Sequence, residues 1–132
     1  MLEQFSLKGR VALVTGSSQG LGWAMAEALA GAGAHVVLNA RNAEKCADRK
    51  KDLEAKGHTA SVQAFDVTDL EAINKAVAAI DKEHGRLDIL VNNAGIVTRN
   101  LLHDVTEEQW SSVMDTDLTA CFRLAREASK VM

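Results

Sequence analysis

The stretch Val11-Ala12-Leu13-Val14-Thr15-Gly16-Ser17-Ser18-Gln19-Gly20-Leu21-Gly22 decides the fold, because an apolar run breaks into three glycines and resumes as a helix-forming segment. Val11 to Val14 are apolar without alternation, which suits a strand covered on both faces in a parallel sheet. Beyond the turn, Leu21, Met25, Ala28, Leu29 and Ala32 recur at helical spacing and predict the apolar face of a helix. Glycine at 16, 20 and 22 removes β-carbons that would hold a ligand off the backbone, and permits dihedrals closed to other residues. The helix begins with unpaired N–H groups and its positive dipole end at the turn, a setting that fits a diphosphate. The spacing Thr15-Gly16-x-x-x-Gly20-x-Gly22 differs from G-x-G-x-x-G, and no Gly-Lys-Ser/Thr follows, which disfavours ATP or GTP hydrolysis. Taken alone, the same turn also reads as a tight strand-to-helix connection without a ligand.

The chain has 132 residues, 47% of them apolar, enough for one domain with a modest core. Its net charge of -3 is mild, and Lys and Arg are scattered except for Arg49-Lys50-Lys51, a trio read as solvent-facing. No electrostatic footprint for nucleic acid or membrane emerges. Cys46 and Cys121 lie far apart without a C-x-x-C, and there is no apolar signal or spanning segment, which points to a reducing cytoplasm. Both cysteines are expected to pack. The histidines 35, 58, 84 and 103 have no metal-ligand spacing, so no metal site is expected.

Further strands are predicted at His35–Asn39, Ala60–Phe65 and Leu87–Val91, with helices at about 42–56, from Thr68 to near His84-Gly85, and from Thr106 to the end. Thr68-Asp69-Leu70-Glu71 and Thr106-Glu107-Glu108-Gln109 read as capping boxes. The last helical stretch places Trp110, Val113, Met114, Cys121, Ala125 and Ala128 on one face and is expected to bend near Thr116 to Thr119. This β-α alternation predicts a parallel, doubly wound α/β sheet with right-handed crossovers. With strand order 3-2-1-4, the ligand crevice falls between the ends of strands 1 and 4, at Thr15-Gly16 and Asn92-Asn93-Ala94-Gly95.

The strand ends carry the chemistry. An acid after strand 2 would bind the ribose hydroxyls of NAD; the segment Leu38-Asn39-Ala40-Arg41-Asn42 has none and offers Arg41, whose planar fork suits a 2′-phosphate. NADP is therefore favoured over NAD, the alternative being that Arg41 is an ordinary loop cation. Asp66, after strand 3, can accept from an exocyclic amine such as that of adenine, or can cap the next helix, a task Thr68 fits better. Asn92 and Asn93 supply amides beside the crevice, and Ala94-Gly95 keeps its wall small enough for a flat ring. Asp117 falls on the apolar stripe of the last helix, where a carboxylate must be paired, hydrated or neutralised, or else lies at a helix break.

Together these residues resemble the short-chain dehydrogenase/reductase family. The matching features are Thr15-Gly16-x-x-x-Gly20-x-Gly22, Asp66-Val67, Asn92-Asn93-Ala94-Gly95 and the helix from Trp110 to Met132, and they cover almost the whole chain. The resemblance is to the N-terminal half of a member, a Rossmann-type cofactor-binding domain spanning residues 1–132. It implies an NAD(P)-dependent oxidoreductase acting on a small-molecule carbonyl/alcohol pair. Gly16, Ser18 and Leu21, with Gln19, Gly20 and Gly22 around them, would hold the diphosphate. Arg41 would take the 2′-phosphate, Asp66-Val67 the adenine, and Asn93, beside Ala94 and Gly95, the nicotinamide-side ribose. Residues 5–10 and 92–99 look similar to gluconate 5-dehydrogenases, and residues 117–124 look equally like 3-oxoacyl-carrier-protein reductases.

Three departures qualify the resemblance. NADP-preferring members often carry a basic residue where Gln19 stands. The family's catalytic set includes an asparagine at the position of Asp117, which could still fix a water of the proton relay. The chain stops at Met132, before the strand of the catalytic serine and the Tyr-x-x-x-Lys helix, and holds no tyrosine; the 132 residues alone are expected to be inactive. The alternative is a non-catalytic nucleotide-binding or interaction fragment. An open apolar edge at strand 4 and an uncovered face on the last helix, which in the family packs against another subunit, predict association into a homo-oligomer.

Overall fold

A computed structural model describes residues 2–132. Four parallel strands, β1 (Val11–Val14), β2 (His35–Leu38), β3 (Ala60–Val62) and β4 (Ile89–Val91), form one sheet in the order β3-β2-β1-β4. Helices α1 (Gly20–Gly31), α2 (Ala43–Ala55) and α3 (Leu70–His84) connect them, and α4 (Glu107–Met114) and α5 (Ala120–Ser129) follow. The expected fold class and strand order are those observed. Strands 3 and 4 are shorter than the sequence suggested, because Gln63 to Phe65 and Leu87-Asp88 lie outside the paired segments.

Alternation along the central strands builds two cores. Val11, Leu13 and Val37 join Ile73, Val77 and Ile80 of α3 and Leu124 and Ala128 of α5 on one side; Val14, Val36 and Leu38 join Ala26 and Ala30 of α1 and Leu53 of α2 on the other. Both faces of β1 are covered, which explains its unbroken apolar run. Cys46 is fully buried, as expected, and burial pushes its thiol pKa up. Among the described residues no helix is long and apolar enough to cross a membrane.

Three local expectations fail for identifiable reasons. The packed face of α1 is Gly22, Ala26 and Ala30, whereas Leu21 is 78% exposed and Ala28 is also exposed. The helix is apolar nearly all round, so spacing does not single out one face, and small residues are what a close approach to the sheet requires. On the last helix Ala128 is buried as expected, but Ala120 and Leu124 are buried with it in place of Cys121 and Ala125, because a π-helical turn at Asp115–Thr119 inserts a wider step and shifts the face of the turns that follow. The bend expected near Thr116 to Thr119 is this turn. Finally, Asp69 rather than Thr68 caps α3, accepting the Ala72 N–H, while the capping box at Thr106 and Gln109 is present in full.

Candidate nucleotide-binding site

A cleft of about 360 Å³ opens at the C-terminal ends of β1, β2 and β4, lined by Gly16, Gln19, Arg41, Asp66, Val67, Asn93, Ala94 and Gly95 among others. Eight of the residues named from the sequence therefore meet around one space. Ser18 lines a shallow depression next to it, together with Gln19, Lys45 and Arg49. Gly20, Leu21, Gly22 and Asp117 are not among the residues that line it.

The glycine-rich turn is held largely from inside the protein. Gly16 and Gly20 have φ of +61° and +60°, a region side chains disfavour. Gly22 serves close packing: a β-carbon there would lie 2.2 Å from the Gly16 carbonyl oxygen and 2.5 Å from Asn93 Nδ2. The Gly16 N–H is not available to a ligand, contrary to the simple picture of all three glycines baring amides, since it donates to Asn39 Oδ1 at 3.2 Å. The first helical bond runs from Trp23 N–H to the Gln19 carbonyl, so the N–H groups of Gly20, Leu21 and Gly22 have no intrahelical partner. These are the donors that suit an anion.

Asn39, which sequence reasoning passed over as the place of a missing acid, is the connector of the site. Only 1% exposed, it donates from Nδ2 to the carbonyls of Gln63 and Phe65 and exchanges main-chain and side-chain bonds with Ser17. It ties the turn after β1 to the exits of β2 and β3. A buried polar residue at a strand end was the only available signal.

Arg41 is exposed at the rim, and its positive charge is one of the influences that lower the Asp66 pKa. The larger ones are the main-chain N–H and hydroxyl of Thr68, both bound to Asp66 Oδ1 at 2.9 and 2.7 Å. Asp66 is thus fixed and anionic, with its second oxygen left over for a donor. Asn93 Nδ2 donates to the carbonyls of Thr15 and Gly16, both at 3.1 Å, and Thr15 Oγ1 accepts the N–H groups of Asn93 and Ala94. Asn92 turns away from the cleft, against the expectation, and donates weakly to the Cys121 carbonyl at 3.4 Å. Asp117 is exposed rather than trapped on an apolar stripe; its Oδ1 accepts the Ile96 N–H at 2.9 Å and would lie 3.2 Å from a β-carbon at Gly95. Among the described residues no cluster of three His, Cys, Asp or Glu could hold a metal ion.

The family profile described as short chain dehydrogenase matches residues 10–132. The gluconate 5-dehydrogenase of Gluconobacter oxydans (strain 621H) is 44% identical over 128 residues, 97% of this chain and 50% of that protein. A 3-oxoacyl-[acyl-carrier-protein] reductase of Vibrio cholerae is 45% identical, over 96% of this chain and 51% of its own length. The crystal structure of a gluconate 5-dehydrogenase from Burkholderia cenocepacia in complex with NADP and tartrate is 37% identical, covers 98% of this chain and 51% of that one, and gives a TM-score of 0.92. The chain spans about half the length of the curated relatives it matches.

Proposed function

As the chain belongs to the short-chain dehydrogenase family, we propose that residues 1–132 form the cofactor-binding part of an oxidoreductase that binds NADP and acts on a carbonyl/alcohol pair. One observation carries this reading: Gly16 and Gln19 of the glycine-rich turn, Arg41, Asp66 and Asn93 surround a single cleft at the ends of β1, β2 and β4. The cofactor supplies the hydride chemistry when bound. The unpaired amides at the start of α1 receive the diphosphate, in a turn whose close packing on Asn93 and Ala94 requires glycine at 16 and 22. Arg41 pairs with the 2′-phosphate, and Asp66 accepts from the adenine amine beside Val67. Asn93 offers its amide oxygen to the nicotinamide-side ribose, its nitrogen being committed to Thr15 and Gly16. Asp117 steadies the wall through Ile96 and keeps its other oxygen for a water of a proton relay.

The substrate is a sugar acid such as gluconate or a 3-oxoacyl thioester, since relatives named for each align at 44% and 45% identity. No tyrosine occurs in the sequence, so the general acid/base expected of the family has to come from outside these residues. The rival reading, a nucleotide-binding fragment without turnover, is separated from this one by assaying the complete gene product with both substrate classes. Trp110, Leu118 and Phe122, each about 60% exposed, are large apolar side chains on α4, the π turn and α5; we propose that they form one docking face. A second copy of the chain is its proposed occupant, to be tested by light scattering of the complete protein with and without Phe122→Lys.

The cofactor reading is tested by titrating the complete protein with NADP and NAD. We expect tighter binding of NADP, and a preference that collapses in Arg41→Ala. Unchanged preference in that variant would remove Arg41 from the reading, and failure to bind either dinucleotide would refute it.

A further inference from the structure

Arg49 is separated from the glycine-rich turn by α1, β2 and the first part of α2, yet its side chain reaches back to that turn. Nε donates to the Ser18 carbonyl at 2.9 Å, and the guanidinium lies 4.4 Å from the centroid of the Trp23 ring, on the first turns of α1. Asp52 holds the other side of the fork at 3.3 Å. Only a third of the side chain is exposed, so the reading of residues 49–51 as a solvent-facing trio fails at this position. Planarity lets a guanidinium stack on an indole while donating in its own plane, a combination open to arginine and not to lysine.

We propose that Arg49 is a positioning residue for the diphosphate-binding turn. The Ser18 carbonyl and the Gln19 N–H belong to one planar trans peptide and point in opposite directions. Anchoring the carbonyl toward α2 directs the Gln19 N–H away from α2, and Gln19 lines the cleft. The Trp23 stack holds the helical side of the same turn, whose first bond is Trp23 N–H to the Gln19 carbonyl. Arg49 therefore fixes the donors of the turn before a ligand arrives, which improves affinity by reducing the ordering that binding requires.

The inference rests on the cofactor reading above, and its test separates the two. In the complete protein, Arg49→Met keeps an unbranched side chain and removes the guanidinium that bonds Ser18 and covers Trp23. We expect NADP and NAD to lose affinity by the same factor, about tenfold for one charge-assisted hydrogen bond, with their ratio unchanged. In ligand-free protein, amide exchange at Ser17 and Trp23, whose N–H groups bond the Asn39 and Gln19 carbonyls on either side of the anchored peptide, should quicken. Arg49→Lys, which keeps the charge without the fork, should recover part of both effects and supplies the same readouts if the methionine variant does not fold. A loss confined to NADP would mean that Arg49 touches the 2′-phosphate and would overturn the proposal. Unchanged affinities and exchange would overturn it as well. Wild-type protein that binds neither dinucleotide would refute the cofactor reading, and the exchange comparison would still decide the role of Arg49.

Discussion

Gly22→Ala sets two opposing effects against each other at one position. Alanine in a helix is favoured over glycine by about 1 kcal/mol, and Gly22 is helical, so propensity alone favours the substitution. The added methyl, however, would sit 2.2 Å from the Gly16 carbonyl oxygen, 2.9 Å from its carbon and 2.5 Å from Asn93 Nδ2. Two of these atoms are backbone and cannot swing aside. Overpacking of this kind costs about 1–3 kcal/mol. Displacing Asn93 also strains its bonds to the Thr15 and Gly16 carbonyls, each worth about 1 kcal/mol. The balance is a net loss of about 2–4 kcal/mol. Gly31→Ala in the same helix is the control: a β-carbon there meets nothing within 4 Å, and a gain of about 0.4–1 kcal/mol is expected. Urea unfolding of the complete protein reads both changes as shifts in midpoint at constant slope. NADP affinity should fall for Gly22→Ala alone, because only that variant moves the turn. A Gly22→Ala midpoint equal to or above that of wild type would refute the argument that helix-to-turn contact dictates this glycine.

Two other perturbations follow from buried polar contacts. Asn39→Ala deprives the Gly16 N–H and the Gln63 and Phe65 carbonyls of their partner at a site 1% exposed, so a loss of about 2–4 kcal/mol in unfolding free energy is expected. The His35 ring lies 4.3 Å from that of His84 and bonds Ser61; burial first, and the neighbouring His84 second, lower its pKa below the ordinary 6.5, with Lys50 acting the same way and Glu83 opposing. The unfolded chain then binds the proton more tightly than the folded one. The stability due to neutral His35 is complete above about pH 6.5 and is lost as pH falls through the lower folded-state value. Thermal melts of wild type and His35→Gln should converge as pH falls across this window; parallel curves would exclude the effect.

Sheet order and cleft were legible because uninterrupted apolar strands and glycine breaks are local signals. Arg41, Asp66 and Asn93 could be placed from strand ends alone. Helix faces were less so: Gly22, Ala26 and Ala30 are hidden among other apolar residues, and no spacing rule foretells the rotation caused by one π turn. The connecting residues were beyond reach for a different reason. Asn39, Arg49 and Asp88 act through partners distant in sequence. Asp88, for example, accepts one bond each from the Val11 N–H and Arg10 across most of the chain, beside two from its neighbour Arg86 that hold its carboxyl far below the usual carboxylate range. Nothing in the order of residues announces such meetings.

Because a single buried amide side chain laces three strand exits together, altering cofactor choice in this protein is a question of address. On the proposed reading, an acid grafted at Ala40 or Arg41 would meet the ribose at the lining of the cleft and leave the bonds of Asn39 in place. The same acid one step earlier would sever the lacing, and the scaffold would come loose before any new specificity could be measured.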